Sequence, residues 1–389
     1  MQLKFLHLQA ILVNIFITDN IYYLPTIIFT VSNDLSYDQR MQRICRSLSN
    51  NGYSVILVGR KKRNSISLTK ELYTQKRIDC FFEKGILFYL VLNIRLTILL
   101  LTHPFDAVCA IDIDTILPCL IASTIKKKKR IYDAHEFFSQ QKEIVTRPIV
   151  YKIWKLIEQF SIPTFKYGYT VNDFIKTEFK NLYKVNYEVI RNLPEKTILA
   201  TEDKKPDTFI VYQGAVNEGR CFETLIPAML QVKHPLYIIG EGNYYSQLTS
   251  LINQYNLTDK IFLLGYFQPD KLQKFTPTAT IGLTLFEHKG LNQIYSLSNK
   301  FFDYIMAGIP QICVNYPEYH KINSRYHVAL LIEDTSANTI ASAINKLMND
   351  DVMYNELKKN CLLARNILCW QNEEIKLLSF YDKLFKPNV

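Results

Sequence analysis

From Pro25 to Asn315 the sequence repeatedly sets a short, continuously apolar run ahead of a longer stretch of helical period. "PTIIFTVSN" (25–33) precedes "YDQRMQRICRSLSNNG" (37–52). There Met41, Ile44, Cys45 and Leu48 share one helical face, and Asn51-Gly52 supplies a stop. "YSVILVG", "FDAVCAID" (105–112), "RIYDAH" (130–135) and "KYGYTVN" (166–172) continue the pattern as strands. Runs that are apolar on both faces belong inside a parallel sheet covered by helices on either side. The text then changes at "EKTILATEDKKPD" (195–207), which is charged, polar and contains Pro206. Alternation restarts with "TFIVYQG" (208–214), "PLYIIGEG" (235–242), "KIFLLGYF" (260–267), "TIGLTLF" (280–286) and "PQICVN". The expectation is two doubly wound α/β halves of similar size joined by a hinge, with ligands beyond the carboxyl ends of the strands.

A length of 389 residues suits two domains rather than one core. Hydrophobic content of 48% with 21% charged residues fits a globular chain, and 12 Gly with 14 Pro excludes a fibrous one. The excess of 46 Lys+Arg over 36 Asp+Glu, a formal +10, favours anionic partners. "KKKKR" (126–130) reads as a solvated loop or as a site for anionic lipid. Eight scattered Cys without a CxxC pair argue for buried free thiols rather than zinc ligands. "FLHLQAILVNIFI" (5–17) is short for a membrane span and reads as an extra apolar segment or a mis-set start, with a membrane-surface anchor as the alternative. "GILFYLVLNIRLTILLLTH" (85–103) is interrupted by Asn93 and Arg95 and reads as a buried or interfacial helix.

Groups able to carry chemistry gather at the strand ends of the second half. "YQGAVNEGR" brings Gly214 and Gly219 to a loop ending in Arg220 at a helix start, where backbone N–H groups and a guanidinium can meet a phosphate. Glu241 in "IGEG" and Tyr266 in "LGYF" end two further strands. "YSLSNKFFDYIMAGIPQICVN" (295–315) then offers Ser298 and Asn299 as helix-capping groups and Lys300 as a cation at a helix N-terminus, a diphosphate cradle. Asp303 lies near the face of Lys300 and suits a ribose. Gly308 and Pro310 end the helix. In the first half, "AIDIDT" places Asp112 and Asp114 at the spacing of a metal–diphosphate site. Acceptor lining or helix capping by Asp114 are the other readings of that pair. His288 stands just upstream of the cradle.

"YSLSNKFFDYIMAGIPQI" resembles the PNK-x-FEY-x-AG-x-P signature of family-4 glycosyltransferases, which have the GT-B fold. "YQGAVNEGRCFETLI", "GEGNYYSQL" and "LGYFQPDKL" resemble that family's second domain in order and spacing. "YDAHEFF", "NDLSYDQR" and "YEVIRNLP" resemble its first. The resemblance implies that Arg220 and Lys300 hold the donor diphosphate, helped by Gly214, Gly219, Glu241, Tyr266, Ser298 and Asn299. Asp303 stands at the second Glu of an E-x7-E pattern and Tyr295 at the first, the donor-sugar contact. Ser298 replaces a Pro. His135 matches a first-domain His beside the donor sugar. Arg40, Asp112, Asp114 and Glu136 fall on the acceptor side.

The resulting expectation is a GT-B chain of two Rossmann-like domains facing across a cleft. Its parts would be an apolar extension at 1–25, an acceptor-side domain with linker at 26–206, a nucleotide-sugar domain at 207–372, and a terminal helix at 373–389 returning to the first domain. The expected activity is hexosyl transfer from a nucleotide-sugar to a glycan or lipid-linked acceptor, retaining, with no metal and no cofactor. The setting would be cytoplasmic, with peripheral contact to an anionic membrane and no nucleic acid. A GT-B-fold sugar-nucleotide epimerase and an inactive nucleotide-sugar-binding protein are the alternatives.

Overall fold

The computed structural model describes residues 24–36, 38–196 and 208–385. Most of the 1–25 extension and of the 195–207 linker therefore lies outside the described residues. By density of contacts the chain falls into two compact units. One holds the residues up to Cys109 with Ile121–Lys129, and the other holds Ala110–Leu120 with Arg130 onward.

Seven strands hydrogen-bond in the order β3-β2-β1-β4-β5-β6-β7. They are β1 (Thr26–Thr30), β2 (Ser54–Lys61), β3 (Thr74–Asp79), β4 (Ala107–Ile111), β5 (Lys129–Ala134), β6 (Tyr167–Thr170) and β7 (Glu188–Val189). The second sheet runs β10-β9-β8-β11-β12-β13. Its strands are β8 (Ile210–Gln213), β9 (Leu236–Ile239), β10 (Ile261–Gly265), β11 (Ile281–Thr284), β12 (Gln311–Val314) and β13 (Ala329–Ile332). Every pair in the second sheet is parallel. Strand order reverses on either side of β8, so the crevice beyond its carboxyl end is a topological switch point.

The apolar runs become strands because both faces are covered: β4, β8, β11 and β12 are buried at every position. The stop signals also act as expected. Asp38 caps the helix Gln39–Asn50 by accepting from the Met41 N–H at 3.1 Å, and Gly308, at φ +71°, closes the helix Asn299–Ala307. Two strands carry no apolar signal of their own. β3 is the edge sequence "TQKRID", paired only to β2, and the two-residue β7 lies at the other edge. All eight cysteines are unbonded, and all but Cys80 are buried.

In the second unit the helix Trp370–Phe385 packs against the end of the first sheet. Tyr169 on β6 meets Phe380 edge-on at 5.2 Å, and the hydroxyls of Tyr169 and Tyr381 lie 3.3 Å apart. Glu373 accepts the Arg191 N–H at 2.9 Å, while the Trp370 N–H donates to the Pro194 carbonyl at 2.8 Å.

One contact sets the spacing between the second sheet and its site helix. The Tyr304 ring, fully buried, lies flat on Gly282 of β11 and sends its hydroxyl towards the Val211 carbonyl at 3.3 Å. A Cβ added at Gly282 would stand 2.6 Å from that ring. Because the ring cannot yield in a packed core, Gly282→Ala should lower unfolding stability by about 2 kcal/mol, read by chemical denaturation. An unchanged midpoint would show the ring free to move.

Candidate functional site

The crossovers after β8, β9 and β10 are laced backbone to backbone. The Gly214 N–H donates to the Ile239 carbonyl at 2.9 Å, Val216 N–H to Glu241 O at 3.0 Å, and Gly240 N–H to Gly265 O at 2.8 Å. Gly240, at φ +142°, admits no side chain, since a Cβ there would lie 1.9 Å from the Gly214 carbonyl oxygen. This close approach fixes the lip of the switch-point crevice.

Lys300 points into that lip. Its N-terminal place on the 299–307 helix suggested an exposed cation; instead the side chain is 6% exposed. Its Nζ sits 3.7 Å over the Tyr212 ring and 5.4 Å from the Phe286 ring, and has no hydrogen-bond partner among the described residues. Gly214 holds a φ of +120° that favours glycine, and a Cβ there would only touch Lys300 Cε, at 3.5 Å, so the lysine stem packs directly on the crossover. Arg220 places its guanidinium 4.5 Å over the same Phe286 ring. Two cations thus contact one aromatic ring, and cation–π attraction partly replaces the water each has lost. Burial, then the Arg220 charge, hold the Lys300 ammonium well below its ordinary pKa. A desolvated lysine beside a second cation is a site short of an anion.

The remaining donor-side candidates surround this pair in different ways. Gly219, at φ +80°, accepts at its carbonyl from the Glu287 N–H at 3.1 Å and Gln293 Nε2 at 3.3 Å, which ties the Arg220 loop to the segment before the helix. Asp303 accepts Gln213 Nε2 at 3.1 Å, and Gln213 Oε1 in turn accepts the Thr276 hydroxyl at 2.7 Å. Asn299 accepts Asn192 Nδ2 at 2.9 Å. Ser298 corrects the sequence reading, because its hydroxyl makes no capping bond; its N–H donates to the Tyr319 hydroxyl at 2.9 Å instead. Tyr295 lies face to face with Phe174, 3.5 Å between centroids, and its carbonyl accepts Asn172 Nδ2 at 2.8 Å. Glu241 is exposed, and Tyr266 is half exposed at the end of β10. His288 is exposed, with its ring against Tyr316.

A second group gathers after β4 and β5, in the same compact unit. Asp112 has a positive φ of 54°, and its Oδ1 accepts the His135 N–H at 2.9 Å. His135 Nε2 stands 3.1 Å from Oδ2 of Asp133, a fully buried carboxylate. Burial, together with the charges of Asp114, Glu136 and Asp133 and against that of His135, pushes the Asp112 carboxyl up to about 8. Glu136 accepts Asn292 Nδ2 at 3.3 Å, and the Phe137 N–H donates to Asn292 Oδ1 at 3.1 Å. The His135 loop is thereby pinned to the segment that leads to Lys300. Asp114 is buried. Arg40 is buried in the other unit. Among the described residues no group of His, Cys, Asp and Glu is arranged to hold a metal ion.

Sequence reasoning missed Asp133, Gln213, Asn292 and Phe174. Asp133 sits two residues before His135 in "YDAHE", a spacing that puts both side chains on one face of an extended strand end and could have revealed it. The Phe174–Tyr295 and Asn292–Phe137 contacts join distant segments and leave no local trace.

Residues 195–362, under half of the chain, match the family model described as Glycosyl transferases group 1. No curated protein matches the sequence at a significant level. Solved structures resemble it over nearly its whole length. A sucrose-phosphate synthase from Thermosynechococcus elongatus has a TM-score of 0.73 at 15% identity, covering 94% of this chain and 100% of the other. Anabaena HepE in complex with UDP-glucose has a TM-score of 0.72 at 11% identity, covering 92% and 100%. WaaG, a glycosyltransferase involved in lipopolysaccharide biosynthesis, has a TM-score of 0.70 at 11% identity, covering 93% and 100%. The fold is GT-B.

The unpaired ammonium gives a direct test. Lys300→Met removes a buried charge without a partner and should raise stability near neutral pH by about 1–4 kcal/mol. In the wild type, stability should climb with pH from the lowered Lys300 pKa towards 10.5, because the unfolded chain then binds more protons than the folded one; the variant should lose that component. Inorganic pyrophosphate should raise the melting temperature of the wild type and leave Lys300→Met unchanged. Equal shifts in both proteins would remove Lys300 from the anion site.

Proposed function

We propose that this chain is a glycosyltransferase resembling family 4, moving a hexosyl group from a nucleotide-sugar to a glycan or lipid-linked acceptor. The observation that carries the reading is the Lys300 ammonium, buried beside Arg220 at the switch point with no hydrogen-bond partner among the described residues. A pyrophosphate supplies the missing acceptor oxygens. The family match over residues 195–362 supports the same reading, as does the UDP-glucose bound to the Anabaena protein of like fold.

In this account the donor diphosphate lies over Gly214 and Gly219, against Lys300 and Arg220. As the bond from the anomeric carbon to the diphosphate breaks, negative charge grows on the departing oxygen. Two fixed cations and the N–H groups at the start of the 299–307 helix stabilise it without reorganising. Asp303, oriented by Gln213, meets the ribose. His135, held between Asp112 and Asp133, stands at the sugar and orients its hydroxyls. The acceptor hydroxyl attacks on the face the leaving group departs from, with retention, and the leaving phosphate takes its proton. No metal is needed where two side-chain cations offset the diphosphate charge. The setting is cytoplasmic, and WaaG of like fold, involved in lipopolysaccharide biosynthesis, supports a glycan acceptor.

The carboxylates around His135 favour one second reading, a sugar-nucleotide epimerase, which needs acids and bases at the anomeric side. Incubation with UDP-, GDP- and dTDP-sugars separates the two. Transfer to added glycan, or slow donor hydrolysis resistant to chelators, is expected; free epimerised sugar would establish the alternative. Lys300→Ala and Arg220→Ala should each lower kcat/KM by an amount equivalent to about 2–4 kcal/mol, the scale of one preorganised charge contact. Wild-type kinetics in both variants would contradict the assignment.

A further inference from the structure

The helix Ile86–Thr102 is apolar on its buried face and over most of its solvent side, interrupted by the part-buried Asn93 and Thr97 and by the exposed Arg95, whose guanidinium donates to the Asp79 carbonyl. Phe88, Leu92, Leu96 and Leu100 are buried against the sheet. On the opposite side Ile86, Leu87, Leu90, Ile94, Ile98 and Leu101 face solvent, with Leu90, Ile94 and Ile98 each more than half exposed. A surface helix of a water-soluble fold would carry polar residues there. The 17 residues make an apolar stripe about 25 Å long at 1.5 Å per residue. Phe81 and Phe82, an edge-to-face pair just ahead of the helix, extend the stripe, with Phe81 81% exposed. No helix among the described residues is long and apolar enough to cross a membrane.

Both ends of the stripe are cationic. At its start, Arg60 lies 4.6 Å over the Phe88 ring and donates to the Glu83 carbonyl at 2.7 Å, which anchors "RKKR" (60–63) beside the helix. Lys61, Lys62, Arg63 and Lys84 are exposed there. Two acids answer them in part: Asp79 lies 3.5 Å from Lys61, and Glu83 lies 3.8 Å from Arg63. At its end, Lys126 donates to the His103 carbonyl at 2.6 Å and leads the exposed Lys127 and Lys128, the latter paired with Asp106 at 3.0 Å. The helix itself carries no acidic residue. All of these residues lie in the first compact unit.

We propose that the solvent face of the 86–102 helix is a docking surface for an anionic phospholipid bilayer, with the helix lying in the plane of the interface. Its aliphatic side chains enter the headgroup–acyl boundary, and the lysine and arginine clusters at both ends meet lipid phosphates. The charge complementarity at both ends selects a bilayer over a second copy of this basic chain, whose own clusters would repel. The proposal goes beyond the sugar-transfer reading and does not depend on it.

Co-sedimentation of the full chain with two kinds of vesicle tests the surface. One is phosphatidylcholine alone, and the other is equimolar phosphatidylcholine and phosphatidylglycerol. The wild type should pellet with the anionic vesicles, partition at least tenfold less onto neutral ones, and be released as salt rises. The double variant Ile94→Asn with Ile98→Asn should lose anionic-vesicle binding about tenfold or more, at unchanged circular dichroism and pyrophosphate binding. Lys127→Glu with Lys128→Glu should lose binding to anionic vesicles only. Anionic-vesicle binding by the Ile94/Ile98 variant equal to the wild type would overturn the proposal. So would a wild type that ignores both vesicles, whether it is a dimer made monomeric by the double variant or a monomer whose own 5–17 segment covers the stripe.

Discussion

An ammonium group buried against two aromatic rings with a guanidinium for a neighbour carries a desolvation cost that no described side chain repays, and the crossovers of the second sheet are arranged around it. Lys300 rests on Tyr212 and Phe286 rather than on a carboxylate, and Arg220 lies 4.5 Å from the same Phe286 ring. Cation–π attraction offsets only part of the lost hydration. The arrangement therefore makes sense when an anion arrives. A buried salt bridge to Asp303 would have quenched the site in advance. Asp303 is instead engaged by Gln213, itself fixed by the Thr276 hydroxyl.

The backbone supports that placement. Gly214 supplies the positive φ at which the chain leaves β8 beneath the lysine stem, Gly240 allows two crossover loops to touch, and Gly282 lets Tyr304 lie on the sheet and hold the site helix at a fixed distance. At Gly240 and Gly282 a single Cβ would move a backbone or a ring. The glycines thus act through packing of rigid parts, and their effect reaches the site as position. The His135 loop is set by a comparable logic, with a carboxylate on either side and Asn292 clamping the next peptide.

Much of this could be read from the sequence, and the misses have physical reasons. Strands covered by helices announce themselves as apolar runs, so β1, β2, β4 to β6 and β8 to β12 are readable, while β13 (Ala329–Ile332), half-buried at the sheet edge, is not marked. The edge strands β3 and β7 were less so, because an edge needs no apolar surface and "TQKRID" has none to show. The cradle at 295–303 stood out because cap residues, a cation and an acid crowd one helix start. The depth of Lys300 did not, since burial depends on Tyr212 and Phe286 arriving from other strands. The Ser298 hydroxyl was credited with a cap bond that its backbone, tied to Tyr319, does not make. Tyr295, aligned with a donor-sugar contact, has its ring stacked on Phe174, a contact between segments too far apart for any local pattern to foretell.

The central claim is that Lys300 lacks an anion in the free protein and gains one on binding a nucleoside diphosphate. Calorimetry of UDP binding at mildly alkaline pH, repeated in buffers of different ionisation enthalpy, measures the protons taken up. A lysine whose pKa is held down by burial and by Arg220 should recover its proton as the diphosphate binds, giving net uptake in the wild type and none in Lys300→Met. Binding of equal strength in both proteins with no proton uptake in either would contradict the account.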